Sequence, residues 1–110
     1  MIFTTLIPLH RNDGSPVPEA EREAILTRLA EQFGSATIEG QVIGYRYEPG
    51  GRGHYREENL KVIIACEWRR YAEAERAVRA IGEQLGQDEM YFEVRHVDGI
   101  RFLSTKAMSG

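Results

Sequence analysis

The chain has 110 residues, of which 42% are hydrophobic and 28% are charged, and its formal net charge is −3. This length and composition are typical of one soluble globular domain. The small negative charge argues against nucleic acid as a partner, because no broad basic field is available to hold a phosphate backbone.

Cys66 is the single cysteine, so an internal disulfide framework and a cysteine-based zinc site are excluded. Its apolar neighbours predict a buried small hydrophobe. Residues 1–7 lack a basic leader, and no apolar run approaches the ~18–20 residues of a membrane span. We therefore expect a cytoplasmic protein with no membrane partner.

The first third of the chain predicts a strand, a loop and a helix. Residues 2–9 are apolar and rich in Thr and Ile, which favours a strand. An Asn-Asp-Gly turn marks the loop over residues 10–16. An apolar stripe at helical spacing predicts a helix over residues 18–33, and Gly34 is expected to end it.

Residues 36–66 predict a long hairpin at the centre of the fold. Two strand-like arms flank a glycine-rich turn over residues 49–53. The alternation of apolar and polar positions is interrupted beside Gly40, which predicts a β-bulge there. Tyr45 and Tyr47 are expected to share one face of the near arm, with Arg46 on the other.

The last third predicts a second helix over residues 67–85 and a strand over residues 90–97. Gly82 lies inside that helix, where it favours a close contact with a neighbouring element. Residues 100–103 predict a short fifth strand or a return segment. We expect residues 104–110 to form a loose tail.

The element order β-α-β-β-α-β predicts an α+β fold of the ferredoxin-like plait type, with both helices on one face of an antiparallel sheet. Residues 1–103 are predicted to form this single domain, and residues 104–110 its tail. The uncovered sheet face would leave apolar side chains in water. We therefore expect self-association, as a dimer or a trimer, through that face.

The hairpin tip is the candidate ligand site. Its glycines allow backbone N–H groups to converge on an anion, and its arginines supply bidentate partners for phosphate or carboxylate. The predicted ligand-binding residues surround the turn: Tyr45, Tyr47, Arg52, His54, Tyr55 and Arg56. Their partner is expected to be a small anionic ligand or an acidic protein surface. The alternative is a flexible tip with solvated charges.

The sequence identifies no catalytic residue and predicts no cofactor. Glu57 and Glu58 offer an acid or base beside the tyrosines. His10, His54 and His96 lack the spacing of metal ligands, so no metal site is predicted.

The long second hairpin gives the chain a resemblance to a known family. Residues 42–45 (VIGY), 55–57 (YRE) and 61–64 (KVII) resemble the PII nitrogen-signalling and CutA-type proteins. The chain is equally similar to small uncharacterised bacterial proteins of the plait type. The PII and CutA resemblance implies trimers that pack their sheet faces together, with nucleotides or small effectors in the clefts between subunits.

Three function classes follow from these observations. The first is an oligomeric regulatory or small-ligand binding module, and it is the one we predict. The second is a small enzyme of the dimeric α+β-barrel kind, with its pocket between the helices and the sheet. The third is a purely structural or interaction subunit.

Overall fold

A computed structural model describes residues 1–106 of the chain. Four strands, two α-helices and one 3-10 turn follow each other in the predicted order. Their bounds are β1 Ile2–Pro8, α1 Glu19–Phe33, β2 Thr37–Glu48, β3 Gly53–Ala65, the 3-10 turn Trp68–Arg70, α2 Tyr71–Gln84 and β4 Phe92–Arg95.

The strands form one antiparallel sheet in the order β2-β3-β1-β4. The register of β2 against β3 shifts between Ile38 and Gly40, which confirms the predicted bulge. Gly40 has a φ of 149°, a conformation that residues with a side chain rarely adopt. The predicted α+β class, with two helices and a four-stranded antiparallel sheet, is confirmed.

Both helices cover the same face of the sheet, which we call the helix face. Phe3 and Ile7 of β1 share this face with Val62 and Ile64 of β3. The apolar stripes of α1 and α2 join them in one buried cluster, which includes Ile25, Leu29, Phe33, Ala74, Val78 and Ile81. The opposite face, called the open face, carries Ile2, Thr4 and Leu6 of β1 and Lys61, Ile63 and Ala65 of β3.

The β2–β3 hairpin extends well beyond the rest of the sheet. β1 pairs with β3 only from Asn59 to Ala65, so residues 43–58 pair with each other alone. We call these residues the arm. The radius of gyration is 16.5 Å, against about 13 Å for a compact chain of this size. The arm therefore stands out from the body, and the longest dimension of the molecule is 67 Å.

The C-terminal elements are shorter than the sequence predicts. β4 covers Phe92–Arg95 rather than residues 90–97, since its pairing with β1 runs only over these four residues. The described residues after β4, 96–106, include no fifth strand. The domain boundary at residue 103 and the tail over residues 104–110 stay predictions, and residues 107–110 lie outside the described part.

Candidate functional site

A cleft of about 780 Å³ lies at the end of the sheet from which the arm projects. Clefts that bind small molecules commonly have volumes of about 300–1,000 Å³. Three elements form its walls: the arm, the loop over residues 10–14 and the segment over residues 87–92. Leu6, Pro8 and Asn59 form its floor.

The antiparallel order of the strands brings these three walls together. β1 runs opposite to both β3 and β4. The end of β1 therefore lies beside the start of the body part of β3 and beside the chain that leads into β4. The backbone N–H of Leu9 donates to Glu58 O at 2.9 Å, which fixes the loop after β1 against the base of the arm.

Side-chain contacts hold the loop over residues 10–14 against α1 and against the residues that follow α2. Arg11 Nη2 lies 2.7 Å from Glu21 Oε2 of α1. Asn12 Nδ2 donates to Gly86 O at 3.1 Å, and Gln87 Nε2 donates to Asn12 Oδ1 at 3.3 Å. The loop and the 87–92 segment are thus joined directly by a hydrogen bond between Gln87 and Asn12.

The arm presents different side chains on its two faces. Register pairs Arg46 with Tyr55 on the open-face side of the arm, and Tyr45 with Arg56 on the helix-face side. Tyr47 lies on the helix-face side opposite His54, and their rings are 4.6 Å apart. The prediction that Tyr45 and Tyr47 share a face opposite to Arg46 is confirmed.

The six predicted ligand-binding residues are divided by this arrangement. Arg52 and Arg56 line the cleft, whereas Tyr45, Tyr47, His54 and Tyr55 do not. Tyr55 lies on the face opposite to the other two tyrosines, so the three rings do not wall one pocket. Tyr45 is 80% exposed.

Ion pairs neutralise most of the charge in the cleft. Arg56 Nη1 is 2.6 Å from Glu58 Oε1. Arg46 Nη1 is 3.5 Å from Glu57 Oε1, and Arg46 Nη2 is 3.8 Å from Glu89 Oε2 across the mouth of the cleft. Glu57 above all raises the pKa of Arg46, which Tyr55 and Glu89 raise further. Arg46 consequently links the arm to the 87–92 segment.

Arg52 folds back from the turn onto an aromatic ring. Its guanidinium carbon is 3.9 Å from the ring centroid of Tyr55. Arg46 approaches the same ring at 6.0 Å. Such guanidinium–ring contacts are favourable electrostatically, and this one orients Arg52 towards the cleft that it lines.

Sequence reasoning missed several residues of the cleft. His10, Arg46, Glu89 and Tyr91 line it but were not among the predicted site residues. The signal that would have found them is topological rather than local. In a sheet with β1 between β3 and β4, the loop after β1 and the chain before β4 meet at one end.

The three histidines lie in separate places. His10 lines the cleft, His54 contacts Tyr47 on the arm, and His96 stacks on Trp68 with ring centroids 4.0 Å apart.

Cys66 is partly buried, and burial raises the pKa of its thiol. Neither of the two described helices is both long and apolar enough to cross a membrane.

Comparison with known proteins gives a fold neighbour but no family. No protein-family model matches the sequence, and no curated protein sequence matches it. The structure is similar to a solved structure of a phage SAM lyase in complex with S-methyl-5′-thioadenosine. The TM-score is 0.65 at 11% sequence identity, over 83% of this chain and 76% of that chain. At this identity the similarity establishes the fold alone.

Proposed function

We propose that this chain is a small-ligand binding module that holds a nucleoside-type ligand in the cleft at the base of the arm. The observation that carries the proposal is the cleft itself, which has the volume of a small-molecule site and is built by three separate elements. The fold neighbour was solved with S-methyl-5′-thioadenosine, which supports this class of ligand.

The lining of the cleft suits a ligand with a planar ring and polar substituents. Leu6, Pro8 and Met90 supply apolar surface, and Tyr91 supplies an aromatic ring that is half exposed. Asn59 is a polar residue at the floor and only 8% exposed. Charged and polar side chains make up most of the rest of the lining, which suits the polar substituents of such a ligand.

A second candidate function is a small enzyme that acts on a sulfonium nucleoside. The neighbour's description as a lyase favours it, and two carboxylates, Glu57 and Glu58, line the same cleft. Incubation with S-adenosylmethionine tests it: release of S-methyl-5′-thioadenosine supports an enzyme, and an unchanged substrate contradicts this second candidate. A membership in the PII or CutA group and a cytoplasmic location stay predictions.

We also propose that the chain self-associates through its open face. Ile2, Leu6, Ile63 and Ala65 lie on that face and are half-buried. The most exposed apolar side chains lie elsewhere, on β2 and after β4, for example Tyr45 and Phe102. In this proposal a second copy buries a modest apolar strip rather than a broad exposed patch.

Titration calorimetry with S-methyl-5′-thioadenosine tests the binding proposal. Tyr91→Ala removes an aromatic wall and should weaken binding about tenfold, as expected for loss of ring stacking on a base. Phe102→Ala is the matched control, because Phe102 is an aromatic residue that does not line the cleft and is 84% exposed. Binding that survives Tyr91→Ala unchanged, or an absence of binding to the unmodified chain, would refute the proposed site.

A further inference from the structure

We propose that Arg52 determines the specificity of the cleft and selects ligands that carry an anionic group, a phosphate or a carboxylate, over neutral ones. The inference rests on the proposed function, which places a nucleoside-type ligand in the cleft. It adds the charge class of that ligand. It also assigns different roles to Arg52 and Arg56, which the sequence predicted to form one anion site together.

Arg52 differs from the other arginines of the cleft in its charge partner. Arg11, Arg46 and Arg56 each lie within 4 Å of a carboxylate: Glu21, Glu57 and Glu58 respectively. Within residues 1–106, no carboxylate lies within that distance of Arg52. Its positive charge is therefore available to a ligand, whereas Arg56 is already neutralised.

The stacking on Tyr55 presents Arg52 in a useful orientation. The guanidinium carbon lies over the ring, 3.9 Å from its centroid, and the guanidinium carries five N–H donors. Those five N–H donors form a rigid fork that matches the oxygen atoms of phosphate or carboxylate. Because the stack orients this fork before binding, less side-chain freedom is lost when an anion arrives.

The position of Arg52 also fits a ligand that occupies the whole cleft. It lies at the turn end of the arm, and the floor of the cleft lies at the arm's base. Arg52 and Tyr91 line this one cleft, and the proposal places the anionic group of the ligand at Arg52. A neutral nucleoside gains nothing from Arg52, so the charge contact separates the two ligand classes.

Calorimetry with three adenosine derivatives tests this inference. S-methyl-5′-thioadenosine is neutral, adenosine 5′-monophosphate carries an anionic phosphate, and S-adenosylhomocysteine is a zwitterion that carries a carboxylate beside an ammonium group. We expect adenosine 5′-monophosphate to bind about tenfold tighter than the neutral compound at low salt, the effect of one charge-assisted contact. The preference should shrink as salt rises, because the contact is exposed.

Arg52→Ala should abolish the preference for the anionic compound. Arg52→Lys should restore only part of it, because Lys keeps the charge and loses the planar fork. Arg76→Ala is the control: Arg76 is an exposed arginine of α2 that does not line the cleft. Equal affinities for all three compounds, or a preference that survives Arg52→Ala, would overturn the inference.

The calorimetry distinguishes a failure of the proposed function from a failure of the inference about Arg52. If none of the three compounds binds, the nucleoside proposal is wrong, and titration with pyrophosphate then tests Arg52 by itself. Pyrophosphate binding that Arg52→Ala removes and Arg76→Ala retains would support an anion site at Arg52. Pyrophosphate binding that Arg52→Ala leaves unchanged, or no binding at all, would overturn it.

Discussion

Gly82→Ala is expected to destabilise the fold, although alanine is the better helix former. A Cβ at position 82 would lie 2.6 Å from Met90 Cγ and 3.5 Å from Met90 Sδ. Carbon atoms in contact normally lie about 3.5–4.0 Å apart, so the overlap is about 1 Å. The Met90 side chain would have to move away from its present position against α2.

The two opposing effects can be weighed. Overpacking of this kind costs about 1–3 kcal/mol, while replacing an interior helix glycine by alanine gains up to about 1 kcal/mol. We expect a net loss of about 1 kcal/mol in the free energy of unfolding. That corresponds to a fall of about 4 °C in melting temperature for a domain of this size.

A double-mutant cycle measured by thermal unfolding tests this reasoning. In a Met90→Ala background the clash is absent, so Gly82→Ala should become neutral or stabilising. Gly44→Ala is the control, because a Cβ at position 44 meets no atom within 4 Å and Gly44 does not have a positive φ. The reasoning would be refuted if Gly82→Ala raised the melting temperature of the otherwise unchanged chain, or cost the same in both backgrounds.

Three further predictions concern stability and assembly. Thr5→Val should raise the free energy of unfolding by about 1 kcal/mol, because Thr5 Oγ1 is buried with no hydrogen-bond partner in the described chain; denaturant unfolding checks it, with Thr4→Val as a control that should not stabilise. Ile63→Glu on the open face should leave a monomer in light scattering, whereas Ile43→Glu on the other side of the hairpin should keep the assembly; a monomeric unmodified chain would contradict the proposal. Hydrogen bonds from Arg11, and then from Gln84, hold the pKa of Glu21 below its ordinary 4.5. Its stabilising contribution is present above pH 4.5 and lost as pH falls, so Glu21→Gln should flatten the melting-temperature curve on the acid side; parallel curves would show that Glu21 contributes nothing.

The secondary structure could be predicted from sequence because its signals are local. Helical spacing located α1 to within one residue of its start, and the slip of apolar parity located the bulge beside Gly40. The end of the chain was less predictable. Residues 90–97 alternate as a strand would, yet pairing with β1 begins only at Phe92.

The candidate site could be predicted only in part, because a cleft is made by elements that are distant in sequence. The glycines and arginines of the tip correctly drew attention to Arg52 and Arg56. Their different roles depend on which carboxylate each one reaches. Glu58 is two residues from Arg56 in sequence and shares its face of β3, whereas Arg52 lies in the turn and folds onto Tyr55.

The sequence by itself determined the α+β class, the two single-sided helices and the long hairpin, since these follow from periodicity and turn chemistry within short windows. Only the tertiary structure decided that the loop after β1 and the chain before β4 meet at the base of the arm. Antiparallel pairing of β1 with both β3 and β4 forces that meeting. The register of β2 against β3 separates Tyr55 from Tyr45 and Tyr47, because it pairs Tyr55 with Arg46, and adjacent residues of a strand point to opposite faces.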